Sequence, residues 1–345
     1  KRILIKKTGG FYKPMFDARI LGTGSFLPER IVSNTELEEK MDTSDEWIQQ
    51  RTGIQERRYV EAGVGTSDLG LKASQRALQS SGLSANDIDF IIFATLSPDY
   101  NFPGCGCLLQ DKLGIGNVGA LDVRNQCTGF IYSLAIAHQF VRTGTYQHIL
   151  VVGAEVHSTG LEMHTPGREV AVIFGDGAGA VVVGKSSDDQ RKILSNHLHS
   201  EGKFAKKLWI EVPSSIQQPR LTKEMLQQGR HYPRMEGRYV FKHAIDRMQQ
   251  SVREGLEANN LKLSDVKLLI LHQANLRISE AVVRALKISP NRVFNNIQMY
   301  GNTTAASIPI ALDEATRQGR IGSGDLVVLA AFGSGFTWGA TVLRW

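Results

Sequence analysis

The chain reads as an α/β protein built in layers from two related halves. Short apolar, β-branched segments alternate with longer amphipathic ones, the signature of strands and covering helices. The later half repeats the order of the earlier one. With 345 residues, 42% hydrophobic and 21% charged, the chain has the make-up of a globular domain with a sizeable core.

Taken in order, residues 1–17 begin KRILIKKTGGFYKP, basic and with only ILI as an apolar run. That run is too short for a signal-peptide core, so the segment is an extension before the first strand. Strands are expected at ARILGTG, DFIIFAT, GALDV, HILVVGAE and VAVIFGD in a first half spanning 18–185. Helices are expected over 67–80 and 128–142. In a second half, 186–345, strands are expected at LLILHQA and DLVVLAAF, and helices over 237–259, 278–286 and 305–317. Runs this apolar suit strands covered on both faces.

The repeat is specific. SGLSANDIDFIIFAT matches NNLKLSDVKLLILHQ as helix end, polar turn and apolar strand. LDVRNQCTGFIYSLAIAHQFVRTG, followed by HILVVGA, matches NNIQMYGNTTAASIPIALDEATRQG, followed by DLVVLAA. Setting Gly144 against Gly319 pairs Cys127 with Asn302, each ahead of a long helix. Setting 90–93 against 268–271 puts His272 at the end of the matching strand. Two copies about an approximate two-fold would bring these residues to one centre, where strands end and helices begin.

Cys127 precedes a helix with apolar residues throughout. A helix N-terminus presents free N–H groups and positive dipole, which favours thiolate. A free cysteine is more commonly a small buried hydrophobe, and Asn302 alone reads as a turn or capping residue. Together, thiol, imidazole and carboxamide admit two chemistries. In a papain-like relay the histidine deprotonates the cysteine and the asparagine orients the histidine. In a condensing centre His272 and Asn302 point donors at a thioester oxygen and stabilise an enolate. The two-fold favours the second, because it sets them side by side facing Cys127.

Other classes find less support. Cys105, Cys107 and Cys127 are odd in number and fit neither a disulfide framework nor a zinc site, which implies a reducing cytoplasmic setting and no metal. Cys105 and Cys107 read as packing residues at a helix start. The net charge of +6 is spread without a block, and no nucleic-acid motif accompanies it. No apolar run approaches the roughly 18 residues of a membrane span. GTGS and GDGAGA lack the dinucleotide-binding pattern and fit turns or close packing.

ILGTGSFLPE, DTSDEWIQQRTGI, CTGF, VIFGDGAGA, HQANLRI, YGNTTAAS and AAFGSGFTWGA, from about Ala18 to Trp345, resemble the β-ketoacyl-acyl-carrier-protein synthase III family. The resemblance implies a thiolase-like fold, two pseudo-symmetric βαβαβ halves stacked as α-β-α-β-α. It implies a Cys127, His272, Asn302 triad acting on acyl-CoA and malonyl-acyl-carrier protein, with no cofactor. Backbone N–H groups of Cys127 and Ser334 would form an oxyanion hole. Trp47 and Arg168 would sandwich the adenine of CoA, flanked by Thr43 and Arg51. Gly237, Phe241 and Ala244 would line the pantetheine tunnel, with Asn275 deeper in. Lys242, Arg277 and Arg284 would dock the acidic carrier protein. Phe102 would reach across a homodimer interface into the partner's acyl pocket, and Phe332 would shield Cys127. Two departures from the family pattern stand out: Asn125-Gln126 ahead of Cys127, where small residues are common, and Ser334, where glycine is frequent. The starter acyl group stays open, and with it the choice between fatty-acid initiation and a specialised relative using a longer, branched or aromatic acyl-CoA. A non-catalytic scaffold of the same fold is the remaining alternative, and it has no use for a thiol at this position.

Overall fold

The computed structural model describes residues 15–345, so most of the expected 1–17 extension lies outside the described residues. Two five-stranded sheets form its frame. The first contains β1 (Ala18–Phe26), β2 (Phe90–Ala94), β3 (Gly119–Val123), β4 (His148–Glu155) and β5 (Gly177–Lys185), in spatial order β1-β5-β4-β2-β3. The second contains β6 (Lys192–Ser200), β7 (Leu268–Leu271), β8 (Val293–Phe294), β9 (Leu326–Gly333) and β10 (Thr337–Arg344), in order β6-β10-β9-β7-β8. In each sheet one off-centre strand, β2 or β7, is parallel to both its neighbours, and two further strands continue antiparallel on the far side of the central one. The two patterns correspond strand for strand, so the predicted repeat is a repeat of topology.

Among the described residues seven helices are eight residues or longer: α1 (Asp45–Thr52), α2 (Thr66–Ser81), α3 (Cys105–Leu113), α4 (Gly129–Arg142), α5 (Gly237–Ala258), α6 (Leu276–Leu286) and α7 (Ser307–Arg317). Between the sheets, Phe130, Ile131 and Leu134 of α4 and Ile308, Ala311 and Leu312 of α7 pack on Ile92, Val151, Ile270 and Leu329. On the outer face of the first sheet, Leu69 and Ala73 of α2 and Leu109 of α3 meet Ile91, Phe93 and Leu150. On that of the second, Val240 and Val252 of α5 and Val282 of α6 meet Leu269 and Val328. Successive residues of β2 and β7 thus face opposite layers, which is why these strands read as unbroken apolar runs. Each such fully buried Leu, Ile or Phe contributes about 1.5–3 kcal/mol. The stack is α-β-α-β-α. GTGS lies within β1 and GAGA within β5, so neither is a phosphate-binding loop.

Three local expectations fail. VAVIFGD (170–176) forms no strand: Val170 and Ala171 end a one-turn helix, Arg168–Ala171, the rest is loop, and the strand begins after it at Gly177. The loop is held by Asp176, whose carboxylate accepts from the backbone N–H groups of Val60, His157 and Ser158 at 2.7–2.9 Å. The strand beyond opens with glycine and alanine, which carry little strand signal. Strands β6 (KILSNHLHS) and β10 (TWGATVLR) were not expected either: one is largely polar and the other is broken by glycine. Cys105 is buried as a packing residue, but Cys107 is exposed, because only one face of α3 meets the sheet.

Candidate active site

The two central helices set the geometry. A 3-10 turn, Gln126–Thr128, leads into α4, and another, Thr304–Ala306, leads into α7. The helices end at Gly144 and Gly319, both at φ 67, a left-handed cap that suits glycine and marks the equivalent positions. The two turns pack on each other, and the first also packs on β9. This brings Cys127, His272 and Asn302 onto one cavity of about 670 Å³.

Cys127 is buried under β9. A Cβ at Gly333 would lie 2.8 Å from the Cys127 Cβ and 3.2 Å from its sulfur, so that position has room only for glycine. The N–H groups of Cys127 and Ser334 lie beside the sulfur and favour its anion. Serine is tolerated because the left-handed backbone angle falls on the next residue, Gly335 (φ 135); its hydroxyl donates to the Leu208 carbonyl. The expectation of a thiolate favoured by the helix end is corrected. Burial pushes the Cys127 thiol up to about 12, helped by the Glu155 carboxylate, against the two N–H groups that pull it down. The resting group is a neutral thiol.

His272 follows β7, its N–H donating to the Ala330 carbonyl at 2.8 Å. Burial pushes it down to about 3, so the ring is neutral. Nδ1 meets the Ser307 hydroxyl at 2.7 Å, and that oxygen also accepts from the Gln273 N–H at 3.3 Å. With the serine proton donated to Nδ1, Nε2 carries the ring proton, and it is buried without a protein partner. Asn302 is held by a backbone bridge to Phe174. Its Oδ1 accepts the Thr304 N–H at 2.8 Å, which leaves its NH2 group to the cavity. The centre therefore offers two side-chain donors opposite a sulfur flanked by two backbone donors. His272 and Asn302 are not bonded to each other, and that disfavours the relay.

Trp47, Arg51, Gly237, Phe241, Ala244, Asn275 and Arg277 line the same cavity. Ser44 caps α1 by accepting the Trp47 N–H at 3.1 Å. Arg168 lies over the Trp47 indole, 5.1 Å from the ring centre, and bonds to the Asp42 backbone and carboxylate. The expected open slot between them is thus closed: a base stacked on both sides needs about 7 Å, twice the ~3.5 Å contact distance. Thr43 and Arg168 do not reach the cavity lining. Asn275 is committed to local structure, capping α6 through Arg277 N–H and donating to the Arg51 carbonyl, both at 2.9 Å. Phe332 lines this cavity rather than the second one that Cys127 also borders. Phe102 is 84% exposed and lines neither. Lys242 and Arg284 are exposed on α5 and α6 away from the lining.

Four polar residues near the centre escaped the sequence reading: Glu155, His157, Thr304 and Ser307. Glu155 and His157 follow directly on HILVVGA, so their place at a strand end was the available signal. Glu155 is fully buried and pushed up to about 7, against bonds from Thr95, Leu96 and Ser97 that pull it down.

A sequence profile described as 3-Oxoacyl-[acyl-carrier-protein (ACP)] synthase III matches residues 121–202, and one described as its C terminal matches 256–345. The beta-ketoacyl-[acyl-carrier-protein] synthase III of Caldanaerobacter subterraneus subsp. tengcongensis is 46% identical over 328 residues, 95% of this chain and 98% of the relative. The chain belongs to the beta-ketoacyl-[acyl-carrier-protein] synthase III family. The crystal structure of 3-oxoacyl-[acyl-carrier-protein] synthase III from Aquifex aeolicus VF5 has a TM-score of 0.87 at 42% identity, covering 95% of this chain and all of that one. The priming beta-ketosynthase of the R1128 polyketide pathway has a TM-score of 0.90 at 32% identity, covering 98% of each. The fold is the layered α/β sandwich of these synthases. Among the described residues no helix is long and apolar enough to cross a membrane.

Proposed function

We propose that this chain is an acyltransferase that performs a decarboxylative condensation: an acyl-CoA starter and malonyl-acyl-carrier protein give a 3-oxoacyl-carrier protein. The observation that carries this is the convergence of Cys127, His272 and Asn302 on one cavity that is also lined by the half-buried indole of Trp47 and by Arg51, Arg238 and Arg277. In the first step the Cys127 sulfur attacks the thioester carbon. The bond to the CoA sulfur breaks, and the thiol proton leaves on CoA. Oxygen charge in this step falls beside the N–H groups of Cys127 and Ser334. In the second, the malonyl group loses carbon dioxide. Its electrons move onto the thioester oxygen, held by Nε2–H of His272 and the NH2 of Asn302. The resulting carbon attacks the acyl-cysteine, the carbon–sulfur bond breaks, and the departing thiolate takes a proton from water to restore the thiol. The sequence balances without a cofactor.

Trp47, Arg51, Phe241 and Ala244 would bind CoA, with Arg168 drawn back to admit the adenine. Arg238 and Arg277 on the cavity lining, with Lys242 exposed on α5 and Arg284 about 10 Å along α6 from Arg277, would attract an acidic carrier. An exposed Phe102 suits a homodimer in which it enters the partner. The cytoplasm would keep Cys127 reduced. Initiation of fatty-acid synthesis is the reading the 46%-identical relative favours. Priming of a polyketide from another acyl-CoA is the second reading, favoured by the likeness to the R1128 enzyme. Carbon dioxide release and product formation from an acyl-CoA panel with malonyl-carrier protein test it. Loss of both in Cys127→Ser is expected, and turnover retained in that variant would contradict it.

A further inference from the structure

The condensation described above uses one of the two cavities that Cys127 borders. The other, of about 680 Å³, is lined by Gln126, His157 and Thr304 close to the sulfur and by Arg124 from the same segment. It also has apolar wall, including Phe174 and Trp209, so it can hold an acyl chain. A plain alkyl chain, however, would leave its polar groups unpaired.

Three of those groups, Gln126, His157 and Arg124, keep hydrogen-bond donors free for a ligand, while Thr304 serves to orient His157. Asn125 commits its carboxamide to Thr128 at 2.9 Å, whereas that of Gln126 bonds nothing among the described residues and borders the cavity. Gln126 holds φ 45, a left-handed backbone that favours glycine. His157 is 8% exposed; its Nε2 meets the Thr304 hydroxyl at 2.7 Å and its ring rests on Phe174, 4.7 Å between centres. The ring is neutral, pushed down to about 3 by burial. With the threonine proton on Nε2, Nδ1 carries the hydrogen. Arg124 is exposed and forms no ion pair among the described residues.

We infer that the second cavity takes a starter acyl group bearing an acceptor oxygen beyond its thioester carbon, in preference to a plain alkyl group of the same length. The inference rests on the acyl-cysteine reading above and adds the chemical class of the acyl group. A site built to bond a substrate oxygen rejects the analogue that lacks it, because its own donors are then buried unpaired. The acyl transfer itself is unchanged: the bond from the acyl carbon to the CoA sulfur breaks, the bond to Cys127 forms, and the proton leaves on CoA.

The test is competition. The intact protein is mixed with equal amounts of butyryl-CoA and one oxygenated partner, in turn 3-hydroxybutyryl-, acetoacetyl- or succinyl-CoA, and the Cys127 adducts are weighed by mass spectrometry. At least one oxygenated partner is expected to load tenfold or more ahead of butyryl. A preference for succinyl that Arg124→Ala removes assigns a carboxylate; a preference for the other two that Gln126→Leu lowers tenfold assigns a carbonyl or hydroxyl. Butyryl loading as fast as all three overturns the inference and leaves the acyl-cysteine reading intact. Absence of any adduct overturns both.

Discussion

Asn302→Ala separates the two half-reactions, and the structure sets both magnitudes. The side chain does two things: Oδ1 holds the buried Thr304 N–H, and the NH2 group faces the cavity. Truncation orphans that N–H, which costs about 1–3 kcal/mol of folding stability. It also removes one of two donors to the oxygen that takes up charge on decarboxylation. One such donor is worth about 10²–10³ in rate, or roughly 3–4 kcal/mol of barrier. Acyl transfer to Cys127 relies instead on the backbone N–H groups of Cys127 and Ser334, so it should persist within about tenfold. Carbon dioxide release from malonyl-carrier protein and acyl loading by mass are followed on one preparation, with a melting curve to confirm folding. A folded variant that decarboxylates at the parent rate refutes the role given to Asn302. So does one that loses acylation and decarboxylation equally, which would indicate collapse of the centre.

Trp47→Ala should raise KM for acyl-CoA about tenfold with kcat nearly unchanged, since indole stacking of roughly 1–2 kcal/mol on a remote adenine is uniform binding; a fall in kcat alone would contradict this. Gly333→Ala should cut acylation steeply at near-parental expression, because the new methyl would strike Cys127; unaltered loading kinetics would show that β9 yields. For pH, His272 binds fewer protons folded than unfolded, its pKa being pushed from 6.5 down to about 3 by burial. Its contribution to stability is therefore present above pH 6.5 and lost as pH falls through that window, about 2 kcal/mol by pH 5. His272→Asn should accordingly lose less melting temperature between pH 7 and pH 5 than the parent does, and an equal loss would contradict a neutral buried imidazole. Glu155, raised to about 7, pulls the parent's curve the other way in the same range, and the comparison with the variant removes it.

Much of this architecture was legible because it is periodic. The apolar runs of β2, β4, β7 and β9 announce strands covered on both faces, and the matching glycines at 144 and 319 announce equivalent helices. That equivalence alone pairs Cys127 with Asn302. Strand β6 was missed because its middle residues are polar: Asn196 bonds Thr341 and His138, and His197 bonds Glu254. Strand β5 was displaced because small residues that let α7 approach look like turn residues. The state of the thiol was misjudged for a different reason. A helix N-terminus can be read from sequence, but the burial that overrides it depends on β9 closing over the sulfur from more than 200 residues away. Arg168 closing over Trp47 is likewise a matter of distance, which no motif encodes.

The account stands on Cys127 being the atom that carries the acyl group. Intact protein treated with acyl-CoA and then digested should show a single acyl adduct, on the peptide containing Cys127, with none in Cys127→Ser. An adduct confined to the exposed Cys107, or none on any cysteine, would contradict it.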